Sequence, residues 1–340
     1  MFNNTKTAVL LVAYGTPDSA KKSDVKRYLK QMLDNHRVVS ISGFKRHLLV
    51  NCIIAPFRAK RSSSLYKKLE DDRGMPLRYH TQDLVEKLAE ILKPIADVFY
   101  CMTAGNPSVD DVCEHIFSAQ YGRLAVIPLF PHFTESTAGN AIGQVLENIS
   151  PRFNMPEIVT LNTFFNHPLY LDSMSEIINR TLDGFDCQHI VFSYHGIPIK
   201  HANLAHGGKS CQEMGCENHY TPENSKCYVS QCYESTRLLA QRIGFDFEKT
   251  STGFQSRFAD HWVSPYTDKV VENLVKQGIK RVCVVTPSFT ADCLETTIEI
   301  SQTLRNDFIA WGGQEIRVVP CLNSENIWIQ SLAKIIMEKL

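Results

Sequence analysis

The sequence predicts an α/β protein with parallel sheets, laid out in two halves, and three observations predict it. Short β-branched runs alternate with stretches of helical periodicity along the whole chain. The chain has 340 residues, more than one compact core ordinarily organises. Two segments, RLAVIPLFPHFTEST (123–137) and RVCVVTPSFTADCLE (281–295), also share one plan: an arginine, an apolar strand, a proline, then Phe-Thr opening a helix.

Strands are expected at 7–13 (TAVLLVA), 98–102 (VFYCM), 124–129 (LAVIPL), 157–162 (EIVTLN), 189–194 (HIVFSY), 281–286 (RVCVVT) and 316–319 (IRVV). Each is a β-branched run closed by a turn signal. Helices are expected between them, at 81–92, 170–182, 233–243 and 267–278, where apolar residues recur at helical spacing. Such alternation implies βαβ units, with helices covering the sheets.

The 36 basic and 36 acidic residues cancel, which argues against nucleic acid as the main partner. No apolar run is long enough to span a bilayer, and the first residues lack the pattern of a signal peptide, so a cytoplasmic protein is expected. Of 11 cysteines, Cys52, Cys101, Cys187, Cys283 and Cys321 sit singly in apolar runs and read as small buried hydrophobes. Cys211, Cys216, Cys227 and Cys232 instead crowd a polar stretch, KSCQEMGCENHYTPENSKCYVSQCYE (209–234). In a reducing compartment they read as metal ligands rather than disulfides, and zinc and an iron–sulfur cage are both chemically open.

Ligands of open α/β sheets bind outside the carboxyl ends of strands. Three such ends carry chemistry here. Tyr14 leaves the first strand in AYGTP, and His195 lies just past the fifth expected strand in SYHGIP. After the sixth, Ser288 or Thr290 can cap a helix carrying Asp292, Glu295 and Glu299, whose spacing puts them on one helical face. Acidic residues in a first turn ordinarily serve the helix dipole, which accounts for Asp292 and Glu295 but not for the deeper Glu299. An imidazole facing carboxylates suits divalent-metal binding or proton abstraction. Dinucleotide, P-loop and hydrolase-elbow motifs are absent.

LLVAYGTPDS (10–19), IAPFRAKR (54–61), GMPL (74–77), GNPS (105–108), PLFPHFTEST (128–137), SYHGIP (193–198), FQSRFADHWVSPYTD (254–268) and SFTADCLET (288–296) together resemble ferrochelatase, in family order and over nearly the whole chain. That family inserts ferrous iron into a porphyrin. The resemblance implies two similar doubly wound, Rossmann-like domains with an active-site cleft between them. The first is expected over 1–165, with a porphyrin lip at about 42–77 and joined by a C-terminal helix at 324–340; the second is expected over 166–323, with a cysteine loop at 199–232. By position, His195 and Glu295 resemble the family's facing histidine and glutamate, which act on the substrate iron and the pyrrole protons. Asp292 and Glu299 resemble its outer carboxylates. Tyr14, Trp262 and Phe289 match porphyrin-lining positions, and Lys60 and Arg61 match basic positions suited to propionates. The family's frequent Arg-Tyr is replaced here by Thr103 and Ala104.

The connection after SYHGIP is expanded and carries the four cysteines, spaced C-x4-C-x10-C-x4-C. A subset of bacterial ferrochelatases carries a [2Fe–2S] cluster on such an internal segment, which implies Cys211, Cys216, Cys227 and Cys232 as ligands and His219 as a bystander. Residues 227 and 232 are then about 140° apart on an ideal helix, so Cys227 must precede the helix, which would be capped near Asn224 or Ser225. The expected partners are protoporphyrin IX and Fe(II), with coproporphyrin or another tetrapyrrole as the alternative substrate. A tetrapyrrole carrier or a metal- or redox-responsive binding protein is the alternative of another class. The basic, amphipathic 42–61 stretch would rest at the inner membrane face as a peripheral contact or form an ordinary core helix. The chain would be a monomer or a homodimer.

Overall fold

The computed structural model describes residues 6–39, 41–257 and 261–340, without the side chains of residues 52 and 53. Phe258, Ala259 and Asp260 of the FQSRFADHWVSPYTD motif, and the Cys52 side chain, lie outside the described residues. The chain divides into two compact units.

The first unit runs to Phe130, resumes at Thr134–Thr163 and takes in the last residues from Asn323. Its sheet holds β1 (Thr7–Thr16), β2 (Asp97–Gly105), β3 (Arg123–Pro128) and β4 (Glu157–Thr160), all parallel, in the order β2-β1-β3-β4. Every residue from Ala8 to Val12 is fully buried, the continuous apolar run of a strand covered on both faces. Leu10 and Val12 pack with Cys113, Ile116 and Val145 of helices Val109–Ser118 and Ala138–Ile149. Helix Asn326–Met337, with Trp328 and Leu332 fully buried, packs against helix Pro76–Leu92.

The second unit comprises Pro131–Phe133 and Phe164–Leu322. Its sheet holds β5 (His189–His195), β6 (Thr250–Gln255), β7 (Arg281–Val285) and β8 (Glu315–Val318), again parallel, in the order β6-β5-β7-β8. The two orders are the same plan, with β3 and β7, the strands of the repeated segment, in equivalent places. In each sheet the chain leaves the first strand to one side and returns on the other, so β1 and β5 are the switch strands. Their carboxyl ends are where such folds bind ligands.

Seven of the eight strands coincide with expected ones, and β6 (TSTGFQ) is the addition. It lacks an apolar run because its buried positions are satisfied by hydrogen bonds: Thr252 bonds to Thr236 at 2.9 Å. Its Gly253 leaves no room for a side chain against Thr267. The expected helix after the seventh strand is also different. It is a π-helix, Leu294–Leu304, capped by Cys293 and not by Ser288 or Thr290, with Thr296 closing the capping box. Asp292 therefore precedes the helix rather than sharing a helical face with Glu295 and Glu299. No helix among the described residues is long and apolar enough to cross a membrane.

Candidate active site and cysteine loop

β5 ends in His195, at the carboxyl end of the switch strand. The His195 Nδ1 lies 2.7 Å from the Gly196 carbonyl oxygen. A carbonyl has no proton to give, so Nδ1 is the donor in this contact and Nε2 is the nitrogen left to accept one. The His195 backbone is held on both sides: its N–H donates to Ser288 Oγ at 3.3 Å, and its carbonyl accepts from the Tyr228 hydroxyl at 2.9 Å. Trp262 and Phe289 stand with ring centroids 6.3 Å from the imidazole. The next residue must be glycine, because a Cβ on Gly196 would fall 2.9 Å from the Gln255 carbonyl and 3.2 Å from the Trp262 ring.

Strand pairing links the His195 strand to the helix that carries the carboxylates. His195 is in register with Gln255 of β6, whose side-chain amide donates to the Glu295 carbonyl at 3.3 Å while its oxygen accepts from Ser193 at 2.6 Å. Ser256 follows with a left-handed backbone (φ 61) and donates a short hydrogen bond to the Glu299 carboxylate. The two residues Gln255 and Ser256 thus tie the histidine strand to the glutamate helix. Burial, then the Glu295 charge, push the Glu299 carboxyl from its ordinary 4.5 up to about 7, against the opposing pull of the Ser256 hydroxyl. Asp292 accepts from Thr296 Oγ1 at 2.9 Å.

In the first unit, Tyr14 lies near the end of β1, its carbonyl accepting from Thr103 at 2.7 Å and its ring edge-on to Phe130 at 6.3 Å. Gly15 (φ 119) allows the ends of β1 and β2 to meet, since a Cβ there would collide with the Ala104 carbonyl. Lys60 and Arg61 are exposed on helix Ala55–Leu69. Phe44, Leu48 and Phe57 of the 42–61 stretch are exposed as well.

The cysteine loop folds around Asn224, which is buried. Its amide donates to the Met214 and His219 carbonyls at 3.2 and 2.8 Å, and its oxygen accepts from the Thr221 N–H and the Ser230 hydroxyl, each at 2.9 Å. Gly207 and Gly208, both at positive φ, turn the chain back after helix Ile199–Leu204. Four side chains then converge: His206, Cys211, Cys216 and Cys227, whose ligand atoms all lie within 4.8 Å of one another. The Cys211 and Cys227 sulfurs are 3.7 Å apart, and Cys216 Sγ is 3.3 Å from His206 Nε2. Hydrogen bonds from the Cys211 and Cys216 thiols hold the Cys227 thiol well below the usual thiol range.

The converging set is not the four cysteines expected for a [2Fe–2S] cluster. Cys227 does precede the helix, as the N-cap of Tyr228–Arg242, but it takes the cap position itself in place of Asn224 or Ser225. Cys232 lies inside that helix, fully buried, with its thiol against the Tyr228 hydroxyl four residues earlier on the same face. His206 takes its place. Nothing in local spacing marks His206, because it approaches only through the glycine turn; His219 stays outside the group.

The ferrochelatase family model matches residues 6–340. The chain is 36% identical over 344 residues to a ferrochelatase of Coxiella burnetii, covering 99% of this chain and 95% of that one. It is 34% identical over 340 residues to a ferrochelatase of Legionella pneumophila, covering 98% and 100%. Among solved structures it is similar to SirB from Bacillus subtilis with Fe3+, with a TM-score of 0.53, 11% identity, and 98% of this chain and 95% of that chain covered. That last likeness is one of fold alone. With the match running along nearly its full length, the chain belongs to the ferrochelatase family.

Proposed function

We infer that this ferrochelatase, a lyase that inserts ferrous iron into protoporphyrin IX, does its chemistry at His195 with Glu295 and Glu299. A free porphyrin must lose two pyrrole N–H protons as iron enters, so the site needs a base and a route outward. The observation that carries the reading is the contact of His195 Nδ1 with the Gly196 carbonyl, which leaves Nε2 to accept a proton. Protons leave along the carboxylates. Glu299, with its midpoint raised to about 7, exchanges a proton readily near neutral pH, which an ordinary glutamate does not. Imidazole nitrogen and carboxylate oxygen are also suitable donors for Fe(II) in transit.

Trp262 and Phe289 offer the macrocycle aromatic surface beside His195, and Tyr14 offers it at the end of β1. Lys60 and Arg61 meet the propionates. Exposed Phe44, Leu48 and Phe57, among exposed Lys45 and Lys60, suit a shallow contact with an anionic lipid surface from the cytoplasmic side.

Glu295→Gln tests the division of labour. It is expected to lower kcat at least tenfold with porphyrin affinity kept, because the carboxylate acts on protons or metal and not on the macrocycle. Loss of binding in step with rate would assign Glu295 a packing role instead.

A further inference from the structure

We propose that His206, Cys211, Cys216 and Cys227 hold one tetrahedral Zn(II) ion, a structural site in the cysteine loop rather than a four-cysteine [2Fe–2S] cluster. The distances decide between the two. A tetrahedral ion with Zn–S bonds of about 2.3 Å and a Zn–N bond of about 2.0 Å sets its sulfurs about 3.8 Å apart and sulfur to nitrogen about 3.5 Å. The loop has 3.7 Å between Cys211 and Cys227 and 3.3 Å between Cys216 and His206. A [2Fe–2S] core needs two donor pairs at its opposite ends, on different irons, so the four ligands cannot all lie close together. Here all four ligand atoms fall within 4.8 Å of one another. The fourth thiol that a cluster would take is also committed elsewhere, since Cys232 is buried in its helix against Tyr228.

His206 is oriented for the task. Its Nδ1 faces the Lys209 carbonyl at 3.3 Å, which turns Nε2 toward Cys216, the usual way a backbone carbonyl fixes a metal-bound imidazole. Three thiolates and one imidazole form a closed set with no open position, as structural zinc requires. Such a site also prefers Zn(II) to Fe(II) on intrinsic affinity, so it stays distinct from the iron being inserted. Its place in the fold gives it a role. Cys227 is the N-cap of helix Tyr228–Arg242, and the first residue of that helix donates to the His195 carbonyl. An ion at Cys227 therefore anchors the helix start that steadies the end of β5.

The test is metal and acid-labile sulfide analysis of the full chain, purified anaerobically with zinc and iron both supplied, followed by Co(II) replacement. The expected result is one zinc per chain and no sulfide, and a cobalt form showing tetrahedral ligand-field bands with thiolate-to-cobalt charge transfer. The charge-transfer band separates this site from any metal held by His195 and the glutamates. His206→Ala and Cys211→Ser are expected to lose that band, and Cys232→Ala to keep it, with circular dichroism confirming that each variant is folded. If a variant fails to fold, the wild-type stoichiometry and cobalt spectrum still decide. Two irons with two sulfides per chain, or a band lost in folded Cys232→Ala and kept in His206→Ala, would overturn the proposal.

Discussion

Replacing Glu299 with glutamine makes a prediction whose size follows from the site. Glu299 is half-buried beside Glu295, and its carboxyl midpoint rises from 4.5 to about 7. Between those two values the folded protein binds more protons at this position than the unfolded chain does. The sign of the linkage is then fixed: stability falls as pH rises through this window. Integrating between pH 5 and pH 8 gives a loss of about 2.5 kcal/mol, a ceiling because residual solvent at the carboxylate screens part of it. A glutamine at this position cannot ionise, yet its side-chain oxygen can still accept from Ser256, so the variant keeps the contact and loses the pH slope. Urea unfolding of wild type and Glu299→Gln at pH 5, 6, 7 and 8, read by the fluorescence of the unit holding Trp262 and Trp311, measures the difference. The variant should gain on the wild type by up to about 2.5 kcal/mol as pH rises, while its turnover drops. Parallel pH profiles would refute the claim that burial and Glu295 hold this carboxyl high.

Two further outcomes are expected. Tyr228→Phe deletes the hydroxyl that serves the His195 carbonyl and should cost about 1 to 2 kcal/mol of stability with a several-fold fall in kcat, checked by denaturation and steady-state rates; unchanged values would show that the tyrosine only fills space. Lys60→Ala and Arg61→Ala should each raise the porphyrin KM about fivefold or less at constant kcat, as expected for exposed charge contacts, and the effect should shrink in high salt; a fall in kcat instead would move these residues into the chemistry.

The parts of the molecule that read clearly from sequence are those set by burial. β1 announces itself because a strand covered on both faces is continuously apolar, β5 through its apolar Ile190, Val191 and Phe192, and the shared plan of 123–137 and 281–295 becomes two sheets of the same strand order. The exit of His195 from β5 is legible for the same reason. What escapes depends on contacts that no periodicity records. β6 hides its polar residues in hydrogen bonds, Gln255 to Ser193 and Thr252 to Thr236, rather than in apolar packing. The π-helix keeps the ordinary look of an amphipathic segment, and only the structure places Asp292 ahead of its cap. Four cysteines in one polar stretch suggest four ligands, yet Cys232 belongs to a helix face and His206 arrives through a turn at Gly207 and Gly208. Ser256, which meets Glu299, follows a strand that carries no apolar signal of its own.

The most direct measurement is iron insertion by the purified protein under anaerobic conditions, with Fe(II) and either protoporphyrin IX or coproporphyrin, in wild type and in folded His195→Ala. The account predicts haem formation from protoporphyrin by the wild type and a loss of about a hundredfold or more in the variant, the lower range for removing a positioned base. Substantial turnover by a folded His195→Ala protein, or wild type that binds porphyrin without metallating it, would contradict it.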